Sequence, residues 1–177
     1  MSYITTYQKK HFDPTNADIN DIDVKDIAHA LSLLCRANGH FVHFYSVAQH
    51  SINCAKEAKA RGYSRRVQLG CLLHDGSEAY LSDITRPIKP LLPMYLEIED
   101  KLQGQIFNKW ITPALTEEEL KLVFEIDDAV LWYEFINLMG EKLHDNKPEI
   151  KADLKYDFCD FSVVENEFIN TFNNLSI

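Results

Sequence analysis

A chain of 177 residues, 46% apolar and 25% charged, has the length and composition of one soluble globular domain. Its net charge of −9 excludes the basic footprint needed to bind a nucleic-acid polymer, and no apolar run approaches the roughly 18 residues that span a bilayer. A small phosphorylated ligand stays open, because one metal ion and one or two arginines can invert the local potential.

Residues 1–25 are polar and turn-rich, which predicts a short strand near Tyr3–Tyr7 followed by loop. Met1–Lys10 has no signal-peptide core. The four cysteines (Cys35, Cys54, Cys71, Cys159) form no C-x-x-C pair, and three sit in apolar helical patterns. Both features predict reduced core thiols in a cytoplasmic protein. Asp26–Arg36 reads as a helix ended by Asn38-Gly39, and residues 40–45 as an aromatic connector. Ser46 caps a second helix running to about Ala60, where Gly62 stops it. Ser64 caps a third, which holds the stretch Cys71–Asp83. Three prolines make Ser82–Pro93 a loop, and a fourth helix covers Met94–Trp110. Thr116-Glu117-Glu118-Glu119 is a capping box whose helix ends at Gly140; Ser162-Val163-Val164-Glu165 is a second box, opening a helix through Phe172. The pattern predicts an all-α irregular bundle of five to six main helices, a single domain over 1–177 in which 141–177 is a tail with one helix.

The third helix carries ionisable groups where core residues belong. At about 100° per residue, His74, Asp75 and Glu78 share one arc with Val67 and Cys71. Burying an imidazole and two carboxylates there is costly unless they are paired or hold a cation. His50 falls beside Val47, Cys54 and Ala58 and faces the core; standing alone it reads as a core histidine hydrogen-bonded to a carbonyl, and His29 keeps that plain reading. On the fifth helix Asp128 joins the solvated stripe of Glu117, Glu118, Lys121 and Glu125, whereas Asp127 points toward Leu120, Phe124, Leu131 and Leu138, with Glu134 along the same line. Asp127 is therefore either a metal ligand or half of a buried ion pair with an arginine. Two imidazoles and two carboxylates (His50, His74, Asp75, Asp127) suit one divalent ion, Mn, Fe, Co, Ni or Zn, with Mg also possible, better than calcium.

The order His50…His74-Asp75…Asp127 resembles the H…HD…D signature of the HD-domain phosphohydrolase superfamily. The stretches Asp26–Ser32, Phe44–Ser51, Leu73–Tyr80 and Asp83–Pro90 are similar to its bacterial and phage branch, the YfbR-like 5′-deoxynucleotidases, over roughly residues 3–140. The resemblance implies an HD-type helical fold, one divalent metal on those four ligands, and hydrolysis of (deoxy)nucleoside 5′-monophosphates. It implies catalytic roles for Glu78 and Asp83, a phosphate-binding role for Arg36, and a dimer or larger homo-oligomer. Glu134 matches a glutamate at the same distance after the last ligand. Two departures are Phe41-Val42-His43, where relatives carry basic residues, and the bulky Trp132-Tyr133, which is expected to narrow a base or sugar pocket.

On that reading Glu78 orients water and moves its proton, while Asp83 assists or protonates the departing 5′-oxygen. Arg36, with Arg86 and Lys89, covers phosphoryl oxygens, and His40 and His43 are spare donors. Arg36 alone also reads as a solvated or helix-terminal cation. The competing activities are a deoxynucleoside triphosphate triphosphohydrolase and a metal-containing nucleotide sensor without turnover. Ala79 stands where guanosine tetraphosphate hydrolases carry a second carboxylate, and no Gly-Tyr-Pro motif of the cyclic-dinucleotide group is present.

Overall fold

Five of the seven helices begin where a side-chain oxygen accepts a free N–H of the first turn, and these caps mark most of the boundaries. The computed structural model describes residues 3–176. The short strands β1 (Ile4–Thr5) and β2 (His11–Phe12) pair antiparallel. They precede α1 (Val24–Leu33), α2 (Val47–Ala60), α3 (Arg65–Leu73), the single turn α4 (Glu78–Leu81), α5 (Pro93–Trp110), α6 (Glu117–Leu138) and α7 (Phe161–Leu175). Six helices of nine residues or more and one minor sheet make the fold all-α. Among the described residues no helix is long and apolar enough to cross a membrane. The domain predicted over 1–177 includes residues 1, 2 and 177, which lie outside the described part.

Helix α2 is the central element. Val47, Ala48 and Ile52 join Ile27 and Leu31 of α1, Leu72 and Leu73 of α3, Leu102 and Ile106 of α5 and Phe168 of α7 in the main core. A second apolar cluster of Cys54, Val67, Cys71, Val123, Ile126 and Val130 lies between α2, α3 and α6.

Several boundaries differ from the sequence expectations, each for a tertiary reason. Helix α1 stops at Leu33 rather than Arg36, because Cys35 bridges to Ser46 and the Arg36 N–H donates to the Tyr45 carbonyl at 2.9 Å. Ala37, Asn38 and Gly39 then turn left-handed, with φ of 51, 50 and 76°. Cys35 therefore lies outside any helix; Cys54 and Cys71 are the buried helical thiols, and all four cysteines are free. Helix α7 is capped by Asp160, whose Oδ1 accepts from the Ser162 N–H at 2.9 Å, rather than by Ser162 itself, and it runs on to Leu175. The N-terminal strand acquires a partner at His11–Phe12 that its turn-rich sequence did not announce.

The irregular segment 141–160 is a strap fixed across α2. Gln49, Asn53, Glu57 and Arg61 recur every four residues and so share one face of that helix. Gln49 Nε2 donates to the Asp157 carbonyl (3.1 Å), Asn53 Nδ2 to that of Lys155 (2.9 Å) and Arg61 Nη2 to that of Glu149 (2.8 Å). The fully buried Glu57 accepts from the backbone N–H groups of Lys151 (2.9 Å) and Ala152 (2.8 Å) and pairs with Arg61 Nε at 2.7 Å. Glu57→Ala orphans both amides and the arginine, so urea unfolding should show a loss of about 3–5 kcal/mol. Glu57→Gln, which still accepts one bond, should lose less; equal midpoints for wild type and Glu57→Ala would refute this role of the strap.

Candidate functional site

Three elements bring their donors to one point. His50 projects from α2, His74 caps the C-terminus of α3 with Asp75 next to it, and Asp127 projects from α6. His50 Nδ1 donates to Glu134 Oε1 at 2.7 Å and His74 Nδ1 to the Cys71 carbonyl at 2.8 Å. Each bond fixes the tautomer and leaves Nε2 as the free lone pair. Those two nitrogens lie 3.2 Å apart. Asp127 Oδ1 sits 3.0 Å from His50 Nε2 and 3.7 Å from His74 Nε2; Asp75 Oδ1 is 3.3 Å from His74 Nε2, and its Oδ2 is 3.9 Å from His50 Nε2. Acceptors facing one another at this range repel unless a cation lies among them. Atoms bound about 2.1 Å from one ion stand about 3 to 3.4 Å apart across adjacent positions, so the spacing fits a coordination shell.

Without a metal, protons take that role. Burial and Arg36 oppose charge on His50, yet Cys54, Glu134 and the Asp127 hydrogen bond hold its pKa well above the ordinary histidine value. His74 is raised despite burial by Asp75 and Asp127. Asp127, against its own burial, is held well below the usual carboxylate range by hydrogen bonds to both imidazoles. The plain reading of His50 is thus corrected: its partner is a carboxylate, not a carbonyl. His29 likewise pairs with Glu165 Oε2 at 3.0 Å and stacks on Tyr7, with ring centroids 3.7 Å apart. The arginine pair that the sequence allowed for Asp127 is present, since its second oxygen takes Arg86 Nη2 at 3.0 Å, although Arg86 itself is largely exposed rather than buried. The neighbouring Asp128 is exposed and binds Arg86 Nη1 at 2.7 Å.

Cys54 is a donor that sequence reasoning left in the core. Its Sγ lies 3.5 Å from His50 Nε2, and His50, Cys54 and His74 form a group able to hold a metal ion. The signal was present, because i and i+4 share a helix face. Burial pushes the thiol up to about 11, so a cation bound there has to displace its proton.

The two carboxylate donors open onto a cleft of about 1230 Å³ between α6, the loop after α4, the left-handed turn and the strap. Asp75, Glu78, Asp83, Asp127, Arg36, His40, Arg86 and Lys89 all line it; His50 and His74 lie beneath. Phe41, Leu131, Phe135, Met139 and Leu143 make its other end apolar. His43 is not in the cleft and pairs with the Phe44 carbonyl. Trp132 and Tyr133 do not narrow it either: they turn to the strap, donating to the carbonyls of His144 (2.9 Å) and Pro148 (3.1 Å).

Arg36 is neither solvated nor at the end of α1: it lies beyond Leu33, where it opens the short turn Arg36–Gly39. Its side chain is only 10% exposed, with Nη1 3.4 Å from Asp75 Oδ2 and Nη2 3.5 Å from Glu134 Oε2. Lys89 pairs with Glu99 at 2.8 Å and reaches Glu78 at 3.9 Å. Glu78 is 4% exposed, and its Oε2 has no partner. Burial, Asp75 and Asp83 raise its carboxyl well above the usual range, and burial raises Asp83 as well. Glu78 is not on the helix of His74, as the periodicity predicted: α3 ends at Leu73 and Glu78 opens α4. Gly76 lies so close to α5 that a Cβ there would stand 3.2 Å from Ile106 Cγ2 and 3.0 Å from the Leu73 carbonyl.

Over 121 residues the chain is 39% identical to the uncharacterized protein YfdR of Escherichia coli K12, covering 68% of this chain and 65% of the relative. It is 35% identical over 124 residues to an uncharacterized protein of Rhodobacter capsulatus, covering 67% and 61%. The chain thus spans less than two thirds of either relative. No family model matches.

Proposed function

We propose that the chain is a metal-dependent phosphohydrolase of the HD type, acting on nucleoside 5′-monophosphates. The observation that carries this reading is the pair of Nε2 lone pairs 3.2 Å apart, flanked by Asp75 and Asp127 and set under a cleft that also holds two carboxyls of raised pKa. His50, His74, Asp75 and Asp127 would hold the divalent ion. When bound, such an ion acidifies water and screens the phosphoryl oxygens.

The chain's own groups do the rest. Glu78, beside Asp75 and sheltered from solvent, receives the proton of the attacking water. Asp83, which lines the same cleft, assists the water or delivers a proton to the departing 5′-oxygen. Arg36 steadies Asp75 and Glu134 and faces the phosphoryl group from the cleft wall. The apolar end takes the base and sugar.

Charge favours a monophosphate. Five carboxylates line the cleft (Asp75, Glu78, Asp83, Asp127, Asp128) against Arg36, Arg86 and Lys89, and each cation is already engaged by a carboxylate. One divalent ion only cancels that excess of two, so a dianionic monophosphate strains the balance less than the higher charge of a triphosphate. A cytoplasmic location accompanies the reading through the free cysteines, and a homo-oligomer by family resemblance alone. The test is metal analysis after chelator-free purification, then nucleoside mono-, di- and triphosphates assayed with Mn, Co, Ni, Zn and Mg. Inorganic phosphate from monophosphates is expected. Release of triphosphate, or metal with no turnover of any nucleotide, overturns it.

A further inference from the structure

The break between α3 and α4 is held open from outside. In an α-helix the Leu73 carbonyl would accept from the Ser77 N–H. Here the side chain of Gln103, on α5, occupies that rung: Nε2 donates to the Leu73 carbonyl at 2.8 Å, and Oε1 accepts from the Ser77 N–H at 3.0 Å. Donor meets acceptor at both ends, so the amide orientation is fixed by its partners. With the rung filled, the chain closes by shorter i to i+3 bonds. The Gly76 N–H donates to Leu73 (2.9 Å) and the Glu78 N–H to Asp75 (3.1 Å). Side chains three apart in such a turn eclipse, whereas on an α-helix they diverge by about 60°. Asp75 and Glu78 therefore stand on one line and both enter the cleft.

We propose that Gln103 is a positioning residue for the centre: it neither lines the cleft nor touches a donor, yet its carboxamide sets the turn that aims Asp75 and Glu78 together. The proposal rests on the metal-centre reading above. A helical wedge of this kind is a known way to bend a helix when a side chain enters its ladder, and outer partners of metal ligands typically matter 10- to 100-fold for affinity.

The test uses cobalt(II) titrated into the full chain and followed by its visible spectrum, with thermal midpoints measured alongside. Gln103→Met fills the same space without either hydrogen bond and should bind cobalt roughly 10- to 100-fold more weakly. Gln103→Glu keeps the acceptor for Ser77 and serves as the second variant should Gln103→Met fail to fold; it too should weaken cobalt binding. Gln105→Met is the control. Gln105 lies on the same helix, and its Nε2 donates to the Ala17 carbonyl at 3.0 Å, away from the cleft. Its loss should lower the midpoint without changing cobalt affinity. Wild-type affinity in Gln103→Met, or an affinity loss in Gln105→Met that matches it, overturns the positioning role alone. A wild-type chain that takes up no cobalt overturns the metal-centre reading and this role with it.

Discussion

Asp127→Ala is expected to lose metal and turnover together and to flatten the dependence of stability on pH. Its Oδ1 is the oxygen nearest both imidazole nitrogens, at 3.0 and 3.7 Å. Losing a ligand should weaken divalent-ion binding by more than about 100-fold, beyond the loss typical of an outer partner. Turnover should fall by about three orders of magnitude, the equivalent of several kcal/mol of lost charge stabilisation. The pH response separates this from simple unfolding. In the metal-free chain His50 and His74 have raised folded pKa values. They contribute stability in full below the ordinary histidine value, near about 6.5, and lose it as pH rises through the folded values. Metal binding needs both imidazoles neutral, so the loaded protein gains over the same window. Wild-type midpoints measured with chelator should therefore fall toward alkaline pH, and those with manganese should hold or rise. In Asp127→Ala, which lacks a partner of both histidines, the two curves should converge. Retained manganese affinity in that variant would sink the assignment of Asp127.

The convergence of four donors could be read in advance because helical angle alone separates Asp127 from Asp128. Their side chains are 17% and 63% exposed, as expected for a residue on an apolar face beside one on a solvated stripe. His50 and His74 lie on apolar faces for the same reason. The break after Leu73 was not legible, since it depends on Gln103, thirty residues away, filling a rung that local periodicity assumes intact. The path of the strap was hidden likewise, because Gln49 and Asp157 are 108 residues apart. Yet part of it was readable: Gln49, Asn53, Glu57 and the C-cap Arg61 repeat every four residues along a helix that is mostly buried, and polar groups there imply a partner. The strap supplies it with backbone carbonyls and amides, which carry no sequence signature of their own.

Glu78→Gln should make the protein more stable and far less active. The side chain is nearly inaccessible, one carboxyl oxygen has no partner, and burial with Asp75 and Asp83 drives its pKa well up, more than Arg36 and Lys89 pull it down. An acid raised on folding binds more protons in the folded than in the unfolded chain between its two pKa values. Stability therefore falls as pH rises from the ordinary glutamate value of 4.5 toward the raised one, and stays lower beyond it. Glutamine keeps the shape and cannot ionise, so the variant escapes that loss. Urea midpoints should be close to wild type near pH 4 and higher than wild type from neutral pH upward. Turnover should drop by about 10²- to 10⁴-fold, the usual contribution of a positioned proton-transfer group, with metal content unchanged. The stability gain should be largest in chelator and shrink with manganese, because a neighbouring divalent cation favours the carboxylate and removes the strain that glutamine relieves. A variant that turns over normally, or one less stable than wild type at pH 8 in chelator, would show that Glu78 is neither the proton carrier nor held out of its preferred charge state.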